Sequence, residues 1–405
     1  MRILVWSVHP KVGTGYGMGA LELCKMFISL GHTVAVQSTY GNALYIDSME
    51  IDGQLVTIYP PGIPNKYAAD VVGMTIQEWK PDLVIQFFDI FVLPPDLIQE
   101  INRVTKLASI LMIDSFPYRH ENLEVLKELK NLILTTGWSV TALPQLPEIE
   151  MKKKWIIPIP ISKTFRYEEM SVARQHFNNG VVNAPLLDDT SFMVSVVSAN
   201  IGDQFNRKNF WAIIKGWKKF LDMCGNANRY LYLHTEISGV CSRGMNVKRE
   251  LAYNGYSSDD VQTIIFPHQI KYIRGSYTQT NMRDIYNASD VYLNPAHGEG
   301  DGMPHSESLC CGTIPLVTNF GTLKEKTEIC VPYGLTEFCL LSGVPMYAGG
   351  HAERYLVGPD EVAEKLTTHF LNKTAKDVDI RKDIEKNASY LKNTEPLWVE
   401  LIKEI

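Results

Sequence analysis

The sequence predicts an α/β protein with two domains, and three observations support this fold class. The chain has 405 residues, whereas a single hydrophobic core stops growing near about 250–300 residues. Hydrophobic residues make up 45% of the chain and charged residues 21%, which is typical of a globular protein. Short apolar runs alternate with segments of helical apolar spacing, as in parallel sheets that helices cover on both faces.

The first half starts with an apolar, β-rich run at residues 1–7, which predicts a strand. A glycine-rich stretch follows at residues 13–19, and apolar side chains then recur at helical spacing as far as Gly31. This pattern predicts the strand, loop and helix that open a Rossmann-like domain over residues 1–165. Further strands are predicted at residues 33–37, 81–88, 106–113 and 132–136.

The sequence pattern changes between residues 155 and 191. The alternating prolines of Ile157-Pro-Ile-Pro-Ile161 exclude a helix, and the stretch 177–189 has no sustained apolar period, so we expect a linker here. A second Rossmann-like domain is expected over residues 190–385, and residues 386–405 are expected to form a helix that packs back on the first domain. The second domain has predicted strands at 192–198, 230–234, 263–266, 290–294 and 314–318, and predicted helices at 210–221 and 281–288.

Two such halves are expected to place their parallel sheets face to face across a cleft. Ligands of open parallel sheets bind beyond the carboxyl ends of the strands. The loops that follow the strands are therefore where functional residues are expected. Glycine-rich or charged segments follow the predicted strands that end at residues 7, 113, 198 and 294.

Charge and cysteine content exclude several classes of protein. The net charge is −6, which argues against a nucleic-acid-binding protein, although a local basic groove stays possible. The seven cysteines are odd in number and lack Cys-x-x-Cys spacing, which argues against a disulfide framework and a structural zinc site. The N-terminal apolar run is too short for a signal peptide and no segment suits a membrane span, so we expect a cytoplasmic protein.

The most informative segment has the sequence GEGDGMPHSES and follows a predicted buried strand. Pro304 suits the first turn of a helix, and the amides of residues 302–305 at its N-terminus would favour phosphate. Glu299 and Glu307 flank these amides, and carboxylates accept strong hydrogen bonds from sugar and ribose hydroxyls. On spacing alone, a surface loop with two solvated glutamates is an equal alternative.

These residues resemble the signature of the retaining GT-B glycosyltransferases of family 4, which includes mannosyltransferases and sucrose synthases. That signature has two glutamates separated by seven residues within EGxGxPxxE, as at Glu299 and Glu307, and a turn follows here at Gly312–Pro315. The likeness extends more weakly across nearly the whole chain. It implies the GT-B fold, with the acceptor on the first domain and the nucleotide-sugar on the second. It also implies transfer of a sugar from a UDP- or GDP-sugar to a hydroxyl of a glycan, lipid or small molecule.

A basic pair, Arg207 and Lys208, follows the first strand of the second half and precedes a helix. A guanidinium fork and an ammonium point charge suit a diphosphate, although an exposed pair at the end of a loop is an equal alternative from the residues alone. The resemblance favours the diphosphate, because the corresponding family loop supplies an arginine and a lysine to the donor phosphates. The strand ends in Asn200 rather than Gly-Arg, so the division of work between the two cations stays open.

Two further groups are expected on loops of the first half. The glycines of residues 13–19 would let backbone approach a phosphate or sugar closely, and the resemblance implies donor contacts from Gly15, Tyr16 and Gly17. A plain tight turn is the alternative. Asp114 ends an apolar strand where many relatives have a histidine that contacts the donor sugar. A turn-capping aspartate is an equal alternative for it.

The resemblance implies catalytic roles for Glu299, Arg207, Lys208 and Asp114. Glu299 would hold the transferred sugar, Glu307 the ribose of the nucleotide, and the two cations the departing phosphate. The remaining donor contacts are expected from the turn between the glutamates: Gly300, Asp301, Gly302, Met303 and Pro304.

We expect neither a cofactor nor a metal requirement. The Asp-x-Asp pattern of residues 377–379 lies in a charged C-terminal segment rather than after a buried strand, and is predicted to be a solvated face. Three other functions stay open: glycosylation of modified bases in viral DNA, non-catalytic binding of a nucleotide-sugar, and an epimerase or phosphorylase of the same architecture. The acidic net charge disfavours the first, and the intact glutamates and basic pair disfavour the second. A phosphorylase of this fold would need a lysine-bound pyridoxal cofactor and a longer chain.

Overall fold

The computed structural model describes residues 1–41, 45–64, 66–182, 186–200, 206–238 and 244–405. These residues form two compact units. The first unit contains Met1–Ile161, Tyr347–Glu353 and Asn393–Ile405, and the second contains Ser162–Met346 and Arg354–Lys392.

The first unit is built on a sheet that has eight strands among the described residues, in the order β3-β4-β2-β1-β5-β6-β7-β8. Neighbouring strands are parallel except for the antiparallel pair β3 and β4. The strands are β1 Arg2–Ser7, β2 Thr33–Ser38, β3 Asp47–Ile51, β4 Gln54–Tyr59, β5 Leu83–Phe87, β6 Lys106–Leu111, β7 Asn131–Leu134 and β8 Lys153–Ile156. The helices are α1 Gly15–Ser29, α2 Val72–Trp79, α3 Pro95–Val104, α4 Leu123–Glu128, α5 Gly137–Ala142 and α6 Pro147–Glu150.

The second unit is built on a parallel sheet that has six strands among the described residues, in the order β11-β10-β9-β12-β13-β14. Its strands are β9 Phe192–Val197, β10 Arg229–His234, β11 Ile264–Ile265, β12 Val291–Asn294, β13 Ile314–Thr318 and β14 Leu340–Leu341. A hairpin of β15 Gly343–Gly349 and β16 Ala352–Val357 follows, and its Tyr347–Glu353 portion belongs to the first unit. The helices are α7 Met170–His176, α8 Phe210–Cys224, α9 Val247–Tyr253, α10 Ser258–Gln262, α11 Gln269–Ile273, α12 Gln279–Ala288, α13 Met303–Cys310, α14 Gly321–Cys330, α15 Thr336–Cys339, α16 Pro359–Asn372 and α17 Val378–Asn387.

The predicted strands and the two predicted helices of the second half are present, with ends that differ by a few residues. Strands β1, β5, β9 and β12 are buried along nearly their whole length, because helices cover both faces of a parallel sheet. This burial explains why they are continuous apolar runs in the sequence.

The stretch predicted to be a linker is more ordered than the sequence indicated. It contains helix α7 and a π-helical turn at Phe177–Val182. Phe177 and Val181 are buried, and the Phe177 ring lies 5.3 Å from that of Tyr232 on β10. Its helical pieces are short, so they produce no extended apolar period in the sequence.

The last helix, α18 Glu395–Glu404, belongs to the first unit. Its Trp398 is fully buried, and the ring packs edge-on against Phe27 of α1 at 5.2 Å. No helix within the described ranges is both long and apolar enough to span a membrane.

Candidate functional site

The topology of the second sheet brings two chain segments together. Strands β9 and β12 are parallel neighbours, with Val194 opposite Val291, so the segments that follow them leave the same edge of the sheet. The backbone amide of His297, after β12, donates to the carbonyl of Arg207, after β9, at 2.9 Å. Residues 201–205, which begin the segment after β9, lie outside the described residues.

Asn209 holds the basic segment in place. Its amide Nδ2 donates to the carbonyls of Pro295 (3.2 Å) and Val357 (3.0 Å), and its Oδ1 accepts from the amide of Ala212 in the first turn of α8. Asn209 has a positive φ of 54°, a conformation that asparagine tolerates better than most residues. One buried side chain therefore caps the helix and ties it to the loop after β12.

The predicted basic pair and the first predicted glutamate are in contact. Arg207 Nη1 donates to Glu299 Oε2 at 3.0 Å and to the carbonyl of Gly298 at 2.7 Å. Lys208 Nζ donates to the other carboxylate oxygen, Oε1. The Glu299 side chain is only 10% exposed, so this three-residue group is largely shielded from water.

The charge of this group favours an anion. Burial acts to raise the pKa of Glu299, but the charges and hydrogen bonds of Lys208 and Arg207 outweigh it and lower the pKa to about 2. Glu299 is therefore a carboxylate at neutral pH. Two cations and one carboxylate leave a net charge of +1 in a partly buried position, where charges are screened less than in water.

The N-terminus of helix α13 lies between the two glutamates, as the sequence predicted. Gly302 precedes it with a φ of 70°, which is available to glycine without strain. Fewer of the amides of residues 302–305 are available to a ligand than the sequence predicted. The amide of His305 donates to the carbonyl of Gly302 at 2.9 Å, and Pro304 has no N–H. Gly302 and Met303 thus remain as the amides of this set that could reach a phosphate.

Glu307 lies in α13 and is 9% exposed. Its Oε2 accepts a hydrogen bond of 2.8 Å from the hydroxyl of Tyr286 on α12. Tyr286 is fully buried, and burial together with the charge of Glu307 raises the pKa of its hydroxyl well above the usual value, so it stays a donor. The sequence analysis did not predict this role, because Tyr286 lies in a mostly polar stretch and no local pattern marks its hydroxyl as buried.

Asp301 faces a partner that the sequence analysis missed. Its carboxylate accepts a hydrogen bond of 2.7 Å from Lys326 Nζ of helix α14, and both side chains are almost fully buried. The side chain expected to contact a donor is therefore held by the protein.

The structure corrects the prediction for residues 15–17, which belong to helix α1 rather than to a loop. The hydroxyl of Thr14 caps this helix by accepting from the amide of Gly17 at 3.2 Å. A Cβ at Gly17 would lie 2.2 Å from the carbonyl oxygen of Val12, so glycine lets the helix start against the preceding turn. The Tyr16 ring packs edge-on against Phe87 at 5.1 Å.

Asp114 lies three residues beyond the end of β6 and belongs to the first unit. Its Oδ1 is 4.0 Å from Nη2 of Arg119. The adjoining Phe116 exchanges two backbone hydrogen bonds with Glu353 of β16, so residues far apart in sequence hold this loop. The predicted residues of the second unit come together, while Asp114 and residues 15–17 lie in the first unit.

Among the described residues, one cluster has metal-ligand geometry. Glu168, His176 and Asp284 place their ligand atoms within 4.8 Å of one another. The guanidinium of Arg283 contacts two of them, at 2.7 Å from Asp284 and 3.6 Å from Glu168. Because this guanidinium already pairs with both carboxylates, the cluster does not favour a metal ion.

The sequence of the chain matches no known protein-family model and no curated protein. Its structure, however, is similar over 100% of its length to sucrose-phosphate synthase from Thermosynechococcus elongatus (TM-score 0.71, 14% identity, 98% of that chain). The chain has the GT-B fold. It is likewise similar over its full length to an α,α-trehalose-phosphate synthase (UDP-forming) from Burkholderia xenovorans in complex with glucose-6-phosphate (TM-score 0.64, 11% identity, 99% of that chain). An E. coli trehalose-6-phosphate structure bound with UDP-2-fluoro glucose has the same TM-score, identity and coverage.

The GT-B likeness confirms the predicted fold class. It does not test membership of family 4 or the role of any residue, which stay predictions. The match covers 98–99% of each of these neighbouring chains.

Proposed function

We propose that this GT-B protein is a retaining glycosyltransferase of the family 4 type, which transfers a sugar from a UDP- or GDP-sugar to an acceptor hydroxyl. The observation that carries the proposal is the group formed by Arg207, Lys208 and Glu299 beside the N-terminus of α13. It combines fixed positive charge, helix amides and a buried carboxylate. Two structural neighbours, one bound to a UDP-sugar analogue and one described as UDP-forming, support the same donor class.

The two cations stabilise the leaving group. When the bond between the sugar and the diphosphate breaks, negative charge grows on the departing phosphate oxygen. Arg207 and Lys208, oriented by Glu299, and the amides of Gly302 and Met303 are already in place to meet it. Preorganised electrostatic stabilisation of this kind usually contributes more to catalysis than any other effect.

The two glutamates have separate tasks. Glu299 holds the transferred sugar through its hydroxyls and also fixes the cations. Glu307 accepts hydrogen bonds from the ribose of the nucleotide, while the hydroxyl of Tyr286 donates to Oε2 of Glu307 and so orients its carboxylate. Carboxylate acceptors suit both hydroxyl-bearing groups.

The chemical step needs no protein nucleophile. The acceptor oxygen forms its bond to the sugar on the face from which the diphosphate leaves, and the acceptor proton passes to the departing phosphate oxygen. The protein supplies position and charge. Because Arg207 and Lys208 already place positive charge where the phosphates would bind, we also propose that turnover is independent of a metal ion.

The proposal is tested first by thermal unfolding with a panel of UDP-, GDP- and ADP-sugars. A ligand present at about 100 times its dissociation constant adds about 2.7 kcal/mol of stability, so the preferred nucleotide is expected to raise the melting temperature clearly. Product analysis then follows, with glucose-6-phosphate as the first acceptor because a structural neighbour binds it. A panel without any stabilising nucleotide would contradict the proposed function, and loss of turnover in excess chelator would contradict metal independence.

A further inference from the structure

One face of helix α14 supports the loop between the two glutamates. Thr322, Leu323, Lys326 and Thr327 have the spacing i, i+1, i+4 and i+5, which places them on one side of a helix. Each of them contacts residues 299–306. The loop that carries Glu299 and the start of α13 is therefore braced by a single neighbouring helix.

The outer contacts of this face hold the two ends of the loop. The hydroxyl of Thr322 donates to the carbonyl of Glu299 at 2.8 Å. The hydroxyl of Thr327 lies 3.1 Å from Nε2 of His305, a fully buried side chain. Burial, and then the charge of Lys326, lower the pKa of His305 to about 3, so this imidazole is neutral at physiological pH.

Lys326 makes the central contact. Its ammonium donates to the carbonyl of Asp301 (2.8 Å), to Oδ1 of Asp301 (2.7 Å) and to the hydroxyl of Ser306 (2.9 Å). These three bonds use all three N–H groups of a lysine. The lysine side chain is 1% exposed and that of Asp301 4%. Such a charge is tolerated in the interior only when it is paired and hydrogen-bonded.

The bonds of Lys326 lie on both sides of Gly302. Asp301 precedes Gly302 and Ser306 follows it, so the ammonium joins the chain on both sides of a glycine with positive φ. Free glycine linkages have a large conformational entropy. Leu323 closes the remaining space, since a Cβ at Gly302 would lie 2.9 Å from its Cδ2. The direction of the Gly302 and Met303 amides is set by these contacts.

We propose that Lys326 is a positioning residue for diphosphate binding: its buried ammonium fixes the loop at Asp301 and Ser306 and so aims the amides of Gly302 and Met303. Position 301 is a variable position of EGxGxPxxE, and here an aspartate at that position is matched by a lysine from α14. The identity of the ligand, a diphosphate, rests on the proposed function. The ordering of the loop by Lys326 does not.

The test compares Lys326→Met with Lys324→Met, the same substitution on the same helix. The Lys324 side chain is 41% exposed and pairs with Glu328 across one turn, so it is a matched control away from the loop. Two quantities are measured on the full chain below its melting temperature: amide hydrogen exchange of peptides covering residues 299–310, and the dissociation constant of UDP and GDP by calorimetry.

We expect Lys326→Met to exchange faster over residues 299–310 and to bind the preferred nucleoside diphosphate about tenfold or more weakly, since loss of supporting contacts misplaces a binding group. For Lys324→Met, the exchange rate and the dissociation constant are both expected to lie within about twofold of the wild-type values, because an exposed ion pair contributes little. The double variant Lys326→Met, Asp301→Asn removes the unpaired carboxylate, so its melting temperature rises above that of Lys326→Met while its nucleotide affinity stays low. A purely structural role predicts that affinity recovers with stability.

Unchanged exchange over residues 299–310 in folded Lys326→Met would overturn the inference, whatever the nucleotide results. Absence of UDP and GDP binding by the wild type would instead count against the proposed function, while faster exchange would still support the ordering role. If Lys326→Met does not fold, Asp301→Asn replaces it, because it removes the charge that pairs with the ammonium and so weakens the central contact of the loop. Faster exchange in Asp301→Asn supports the inference, and wild-type exchange overturns it.

Discussion

Two glycine-rich segments follow buried strands in this protein, one at residues 13–19 and the other at residues 298–302, and they do different work. In the first, Gly17 lets the start of α1 pack against the carbonyl of Val12, and apart from Tyr16 no side chain of the segment ionises. In the second, the glycines lie among a buried carboxylate, two cations and a supporting ion pair. Glycine content after a strand therefore does not distinguish the two segments, whereas the charges that the fold brings to the second segment do.

The largest effect that would test this contrast is expected from the basic pair. Removing one preorganised donor typically costs about 3–4 kcal/mol of barrier, or roughly 10²–10³ in turnover, so Arg207→Ala and Lys208→Ala are each expected to fall in that range. Lys11→Ala, an exposed cation beside the first segment, is the control and is expected to change turnover less than about fivefold. A folded Arg207→Ala, Lys208→Ala double variant with a tenth of wild-type turnover at saturating donor would exclude the leaving-group role.

The next effect concerns stability against pH. The pKa of Glu299 in the folded protein is lowered from 4.5 to about 2, so its pairing stabilises the fold above pH 4.5 and this contribution is lost as the pH falls toward 2. It amounts to at most roughly 3 kcal/mol. We expect urea unfolding to give a lower free energy of unfolding for Glu299→Gln than for wild type at pH 6. This difference is expected to become smaller toward pH 2.5. Glu328→Gln, in an exposed pair of α14, is the control and is expected to differ little from wild type in free energy of unfolding at either pH. A difference for Glu299→Gln that does not change with pH would contradict the lowered pKa of Glu299.

Glu307 is expected to act on nucleotide affinity. Glu307→Ala removes a charged acceptor from a hydroxyl pair, which is worth about 1.5–3 kcal/mol, so the dissociation constant of the nucleoside diphosphate is expected to rise by roughly 10–100-fold. Calorimetry with the 2′,3′-dideoxy nucleoside diphosphate is the control, because wild type and variant are expected to bind it alike. An equal loss of affinity for both ligands would contradict a contact between Glu307 and the ribose.

The smallest effect belongs to the first glycine segment. Gly17→Ala places a Cβ 2.2 Å from a carbonyl oxygen, and such overpacking is expected to lower the free energy of unfolding by about 1–3 kcal/mol. Gly15→Ala is the matched control in the same turn, since nothing lies within 4 Å of its Cβ position. Urea unfolding of both variants makes the comparison. Equal stability of the two would mean that the close approach at Gly17 is not a constraint.

The sequence alone determined the parallel strands and the EGxGxPxxE segment, because both are written in local patterns. A strand such as β12 is covered on both faces, so each of its residues is buried, and a helix N-terminus after glycines is a local geometric signal. The fold class followed from these patterns and is confirmed by the structural neighbours. A linker is predicted over residues 155–191 because α7 and the turn after it are short and depend on distant contacts, which leave no sustained period in the sequence.

Only the tertiary structure decided which charges meet the loop. Arg207 and Glu299 are 92 positions apart, and their contact depends on β9 and β12 being neighbours in the sheet. Asp301 and Lys326 pair because α14 turns one face toward the loop. The start of α1 at Gly15 depends on the fit of Gly17 against Val12. Local patterns determine which elements form, whereas ion pairs and close approaches depend on the order of strands, which no short stretch of sequence contains.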